Sequence, residues 1–286
     1  MKSWTAGWGS GLIGVAIFSG SMPATRVAVA DFSPLFLTSA RAAIAALIGV
    51  ALLFALGERR PARADLGSLF IVAIGVVIGF PLLTALALQR ITSAHSIVFT
   101  GLLPLATALC GVWRGGERPR PMFWLFSGLG SFAVAGFALS QSAATSLVGD
   151  GLMLGAVAIC GLGYAEGAAL SRRLGGWQVI SWALAVALPV MATLAIATAP
   201  TSFANIAPSA WMGLGYVSVF SMLVGFVFWY RGLALGGIAG VGQLQLLQPF
   251  LGLALAALLL HEPVAWTMVA TAGLVALCVF GAKRYA

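Results

Sequence analysis

The sequence predicts an all-α polytopic membrane protein whose ten transmembrane helices form a five-plus-five inverted repeat. Three observations carry this expectation. Of 286 residues, 61% are hydrophobic and only 8% charged, and the mean hydropathy of +1.05 lies far from that of a soluble domain. Apolar blocks of about 20 residues, each enough to cross roughly 30 Å of hydrocarbon as a helix, recur along the whole chain. The chain also matches itself when shifted by 145 residues, pairing Pro104 with Pro249, Glu117 with Glu262, Gly128 with Gly273 and Gly136 with Gly281.

The blocks run over residues 7–27, 34–56, 67–89, 93–113, 121–142, 149–171, 177–199, 209–231, 237–260 and 264–282. Short connections leave no room for a soluble domain. The first block imitates a signal peptide, with Lys2 ahead of it and Ala28-Val29-Ala30 behind. Pro23, Arg26 and the need for a fifth helix in the first repeat favour reading it as a span.

Charge sets the orientation. With the N-terminus in the cytoplasm, twelve of fifteen Lys and Arg fall on cytoplasmic ends and loops, among them Arg59, Arg60, Arg63, Arg118, Arg172 and Arg173. Only Arg26 and Arg90 fall outside, and Arg41 lies within the second span. Both termini are therefore expected in the cytoplasm of a bacterial-type cell, with the chain in its inner membrane. The formal charge of +8 is thus accounted for by topology, and no nucleic-acid partner is expected. Cys110, Cys160 and Cys278 sit in different blocks with no paired spacing, so neither a disulfide nor a metal site is expected.

Five helices per unit is an odd number, so the two copies, residues 1–145 and 146–286, must insert in opposite senses. The loops agree: WRGGERPRP after the fourth span carries Arg114, Arg118 and Arg120, while LLLHEPVAW after the ninth carries no Lys or Arg. Inverted repeats of this kind build secondary transporters, with substrate held near the midplane where the halves meet.

Polar residues inside the spans are the candidate site. Pro104 and Pro249 fall near the centres of the fourth and ninth blocks, each lacking the N–H that would bond the carbonyl four residues back, those of Thr100 and Gln245. Such acceptors must face protein or a wet cavity. At 100° per residue Gln245 and Gln248 of GQLQLLQPF lie on one face and Gln243 nearly opposite. An uncharged strip of this kind suits a transported solute, or serves as interhelical glue contributing about 0.6 to 2 kcal/mol. Phe80 and Pro81 mark a further break in the third span. Phe80, Phe99 and Tyr164 are candidates for an aromatic wall, with core packing as the alternative.

Glu166, Arg41 and His95 are the ionisable candidates for coupling or gating. A charge held within a span costs about 2.5 to 3.5 kcal/mol on insertion scales and needs a partner or a purpose. Glu166 can instead reach the cytoplasmic surface near Arg172, and His95 near the outer end can be merely packed or solvated. Trp8, Trp113, Trp177, Trp211 and Trp266 lie near span ends as interfacial anchors. No HExxH, paired aspartates or Ser/His pair supports an intramembrane enzyme, and no GxxxxGK[ST] loop implies a nucleotide.

The ten spans, the proline of the fourth and ninth helices, the GERP and HEP turns and YAEGAALSRRL at the end of the sixth resemble the ten-helix, EamA-type exporters of the drug/metabolite transporter superfamily. The resemblance covers essentially the whole chain. It implies cytoplasmic termini, a small-molecule substrate such as an amino acid or related metabolite, no cofactor, and closest similarity to the aromatic amino-acid exporters. An arginine in the second helix is common in that family, which fits a structural or gating ion contact for Arg41 better than a substrate contact. The family's small four-helix relatives use an acidic residue in the first helix, and none lies between Gly7 and Pro23 here. That coupling mechanism is therefore not carried over, and facilitated export is supported at least as well as proton antiport. Export of small metabolites, aromatic or other neutral amino acids first, is expected, with proton-coupled export of cationic amphipathic drugs as the alternative. The small-residue helix surfaces are compatible with a monomer or a homo-oligomer.

Overall fold

A membrane span must close its backbone hydrogen bonds within itself, so the places where its helix breaks are as informative as its length. The computed structural model describes residues 2–87, 90–91, 99–140, 146–260 and 266–286. Among these there are helices and no strands. We label the spans α1 (Lys2–Ser19, resuming at Ser21–Ala28), α2 (Pro34–Ala55), α3 (Arg63–Ala87), α4 (Leu103–Gly115) and α5 (Pro121–Ser140). The second series is α6 (Leu147–Leu174), α7 (Gly176–Ala197), α8 (Pro208–Gly236), α9 (Ile238–Gly242, Gln243–Leu247 and Gln248–Leu260) and α10 (Trp266–Tyr285). The expected boundary between repeats adjoins residues 141–145, which lie outside the described residues.

Helix packing has a two-fold pattern. α1 lies along α8 and α6 along α3; α4 packs on α6 and α9 on α1; α2 pairs with α7, α5 with α10 and α4 with α9. Exchanging each helix with the one five places later maps this set onto itself. Small residues let the backbones meet. A Cβ on Gly7 would stand 2.4 Å from Gly236 N, and one on Gly75 of α3 would stand 2.6 Å from Ile159 O of α6.

The irregularities repeat as well. α3 and α8 each contain a π-helical segment, Ala73–Gly79 and Tyr216–Val224. The Phe80 N–H bonds Gly75 O in one and the Gly225 N–H bonds Phe220 O in the other, both five residues back and related by the repeat offset. Pro81 follows the first segment as the second residue of Phe80–Ala87, but α8 has no proline there and its break was not foreseen.

Pro104 and Pro249 do not kink continuous helices. Each is the second residue of a helix that starts afresh, Leu103–Gly115 and Gln248–Leu260, a place where a missing N–H costs nothing. In α9 the preceding turn tightens to 3₁₀ geometry, and the Gln248 N–H takes up the Gln245 carbonyl. The acceptor that the sequence leaves free at Gln245 is thus satisfied within the helix. α1 breaks at Gly20, where Tyr216 Oη donates to Ile17 O at 2.9 Å.

The main core cluster joins Val15 and Phe18 of α1, Tyr164 of α6, Trp229 and Tyr230 of α8 and Leu246 of α9. Trp8, read as an anchor, is buried, with Lys283 Nζ 4.6 Å over its ring. Trp113 and Trp266 are exposed as anchors should be.

Candidate functional site

The site is built around the 3₁₀ turn of α9. In 3₁₀ geometry residues three apart eclipse, so Gln245 and Gln248 share a face. Gln245 is buried and its Nε2 donates to Tyr164 Oη at 3.2 Å, while its Oε1 has no protein partner among the described residues. Gln248 is half-buried. Gln243 is wholly buried, and neither end of its amide meets a protein partner among the described residues.

Tyr164 is set in aromatic rings from α8 and α1. Its ring stands 5.6 Å from Trp229, edge-on, and 6.1 Å from Phe226. Phe18 lies 5.0 Å from Phe226, and Tyr230 Oη donates to Gly163 O at 3.3 Å, one residue before Tyr164. Phe80 is half-buried against the core without a ring contact among the described residues. Phe99 and Thr100 are half-buried ahead of Pro104. The wall beside Tyr164 is therefore formed by Phe226 and Trp229, which the sequence reading missed. Their i, i+3 spacing in GFVFWY was the available signal.

Arg41 stands apart from the other charges. Its neighbours along α2 include Ala45 one turn on, in the core, and Ile48 packed against it. It lies within electrostatic range of Tyr164. Among the described residues no ion pair or hydrogen bond reaches it, and its Nε is buried.

Glu166, by contrast, is fully engaged. Arg114 reaches it with Nε to Oε2 at 2.7 Å and Nη2 to Oε1 at 3.0 Å, and Ser68 Oγ donates to Oε1 at 2.5 Å. This bidentate clamp ties α6 to α4 and α3. It sits at the arginine-rich end, where three more acids bridge the repeats. Arg173 meets Asp65 at 2.6 Å, Gln178 donates to Glu58 at 3.3 Å, and Arg172 meets Glu117 at 3.2 Å. Glu117 also accepts from the Ile238 N–H at 2.6 Å and the Ala239 N–H at 2.7 Å, capping α9 just after Gly237, whose φ is +90°. The sequence reading took Glu117 only as part of a turn. His95 lies outside the described residues, so its candidacy is not addressed by the fold.

The comparisons agree with this architecture. The model of the EamA-like transporter family matches twice, at residues 5–139 and 147–282. The chain is 63% identical over 286 residues to the uncharacterized transporter YdeK of Bacillus subtilis (strain 168), with 100% of both chains covered. It is 26% identical over 263 residues to the uncharacterized transporter sll0355 of a Synechocystis strain, covering 85% of this chain and 79% of the relative. A solved crystal structure shares its fold, with a TM-score of 0.80 over 98% of this chain and 99% of the other at 19% identity. With both of its halves matched, the chain belongs to the EamA-like transporter family.

Proposed function

We propose that the protein is a secondary transporter that exports small metabolites, most of all aromatic or other neutral amino acids, across the inner membrane by alternating access. The observation that carries this is the buried Gln245–Tyr164 pair, held at a helix break and faced by Phe226 and Trp229. Uncharged polar groups beside aromatic rings suit a zwitterion with an apolar side chain, because they orient it without holding it too tightly. The alternative, proton-coupled export of cationic drugs, needs a carboxylate open to protons and cargo. Glu166 is a poor candidate, since Arg114 and Ser68 already occupy it.

The test is counterflow in proteoliposomes loaded with unlabelled phenylalanine and offered labelled phenylalanine, threonine or a cationic dye, with and without a pH gradient. Accumulation of labelled amino acid without a gradient is expected. Dye movement that requires the gradient, with amino acids inert, replaces this reading with the multidrug one. We further propose that the arginine-rich end, with both termini, faces the cytoplasm. A cysteine at Arg118 should be shielded by a cytoplasmic quencher and one at Glu262 by an external quencher.

A further inference from the structure

Arg41 is an arginine inside a span that meets no acid among the described residues. Three acidic side chains at the arginine-rich end are each answered by a specific arginine: Asp65 by Arg173, Glu117 by Arg172 and Glu166 by Arg114. Arg41 has no such answer among the described residues, and its Nε is buried without a protein acceptor. An uncompensated charge at that depth is costly and is retained where a ligand or pathway uses it.

Its position says what it would meet. Arg41 lies on the core side of α2, within electrostatic range of the Tyr164 phenol. That phenol accepts from Gln245 Nε2, and Gln245 Oε1 is a buried acceptor with no protein partner among the described residues. Around Tyr164 there are thus one cation, one buried amide oxygen without a partner among the described residues, and the rings of Phe226 and Trp229. A guanidinium is a planar fork that matches a carboxylate bidentately, and an amide oxygen accepts from an ammonium or hydroxyl. A cationic drug offers Arg41 only repulsion.

We infer that Arg41 is a substrate-binding residue whose guanidinium receives the carboxylate of the transported solute, so that the site selects for carboxylate-bearing substrates and against cations. The inference deepens the exporter reading and rests on it for the identity of the site, but it does not require the substrate to be an amino acid. The bound carboxylate is the counter-ion that Arg41 does not meet among the described residues, and it offsets the cost of keeping the charge in the span.

Equilibrium binding to purified protein in phospholipid-free detergent tests this, with matched ligands differing only at the carboxyl group: phenylalanine against phenylalaninamide, and 3-phenylpropionate against 3-phenylpropanol. At least one acid should bind about tenfold or more tightly than its neutral or cationic partner, the amount expected of a charge-assisted contact. Arg41→Gln should abolish that discrimination, and Arg41→Lys should keep part of it. The wild-type comparison stands even where Arg41→Gln does not fold. Equal binding of acid and partner, binding of neither acid, equal displacement by chloride, or discrimination that survives in Arg41→Gln each overturns the inference. Arg41-dependent binding of 3-phenylpropionate with no counterflow of amino acids leaves the inference standing and removes the amino-acid reading. Amino-acid counterflow with Arg41-independent discrimination does the reverse.

Discussion

At the arginine-rich end of the bundle, Glu58, Asp65, Glu117 and Glu166 each reach a group from the opposite repeat. In the middle, Arg41 Nε, Gln245 Oε1 and both ends of the Gln243 amide are buried without a protein partner among the described residues. The first region has its polar groups closed on one another; the second leaves them open. Closed groups hold the halves in one arrangement, while the unpartnered ones are those that the proposed transport site would offer to a solute. On the alternating-access reading proposed above, movement of one repeat against the other would loosen the first region and reorganise around the second. Exposed ion pairs such as Arg172–Glu117 are individually worth little, which suits contacts that have to break and re-form.

The sharpest break of this contrast is Glu117→Ala, which leaves two backbone N–H groups of α9 and Arg172 without their acceptor. We expect a loss of about 2 to 3 kcal/mol, read as a fall in melting temperature of roughly 4 to 12 °C in detergent at about 2 to 4 °C per kcal/mol. A shift below 2 °C would deny the cap its role. Glu166→Gln should cost about 1 to 3 kcal/mol, because Glu166 is buried while Arg114 keeps 40% exposure and can turn to water. Its transport should keep the wild-type pH profile; loss of pH dependence in this variant would make Glu166 a coupling group instead.

In the open region the effects should move from stability to transport. Gln245→Leu removes one hydrogen bond, worth about 0.6 kcal/mol in a membrane, so the melting temperature should fall by no more than about 3 °C. The initial rate of amino-acid counterflow should nevertheless fall about fivefold, as for about 1 kcal/mol of lost substrate contact. Unchanged rates in both Gln245→Leu and Gln248→Leu would turn the strip into helix glue. The smallest effect is expected of Gln243→Leu. Replacing an unpartnered buried amide by an apolar group should be neutral or stabilise by up to about 1 kcal/mol, and marked destabilisation would show that the amide is bonded.

Much of the fold was legible in the sequence because its signals are local. A span satisfies its own backbone, so hydropathy and length suffice to find it, and the two copies preserve each other's prolines and glycines. The site was only partly legible. Gln245 and Tyr164 could be named from polarity and glycine flanks, but the bond between them joins residues far apart in the chain. Phe80 and Phe99 are aromatic and near breaks, as Phe226 and Trp229 are; the i, i+3 spacing of the latter pair puts them on one helix face but does not tell that this face meets Tyr164. The π segment of α8 lacks the proline that betrays its counterpart in α3, so its break was hidden.

Composition, hydropathy and the internal repeat thus determined by themselves that this is a ten-span membrane protein of two inverted units with prolines at equivalent places, since each of these follows from the chain's own neighbours. Which charge meets which was decided only by packing. Glu166 and Arg114 are 52 residues apart and form a bidentate pair, whereas Arg41, equally charged and equally embedded in sequence, meets no acid among the described residues. Electrostatic pairing depends on distance in space and on what water is excluded, and neither quantity is written in the order of residues.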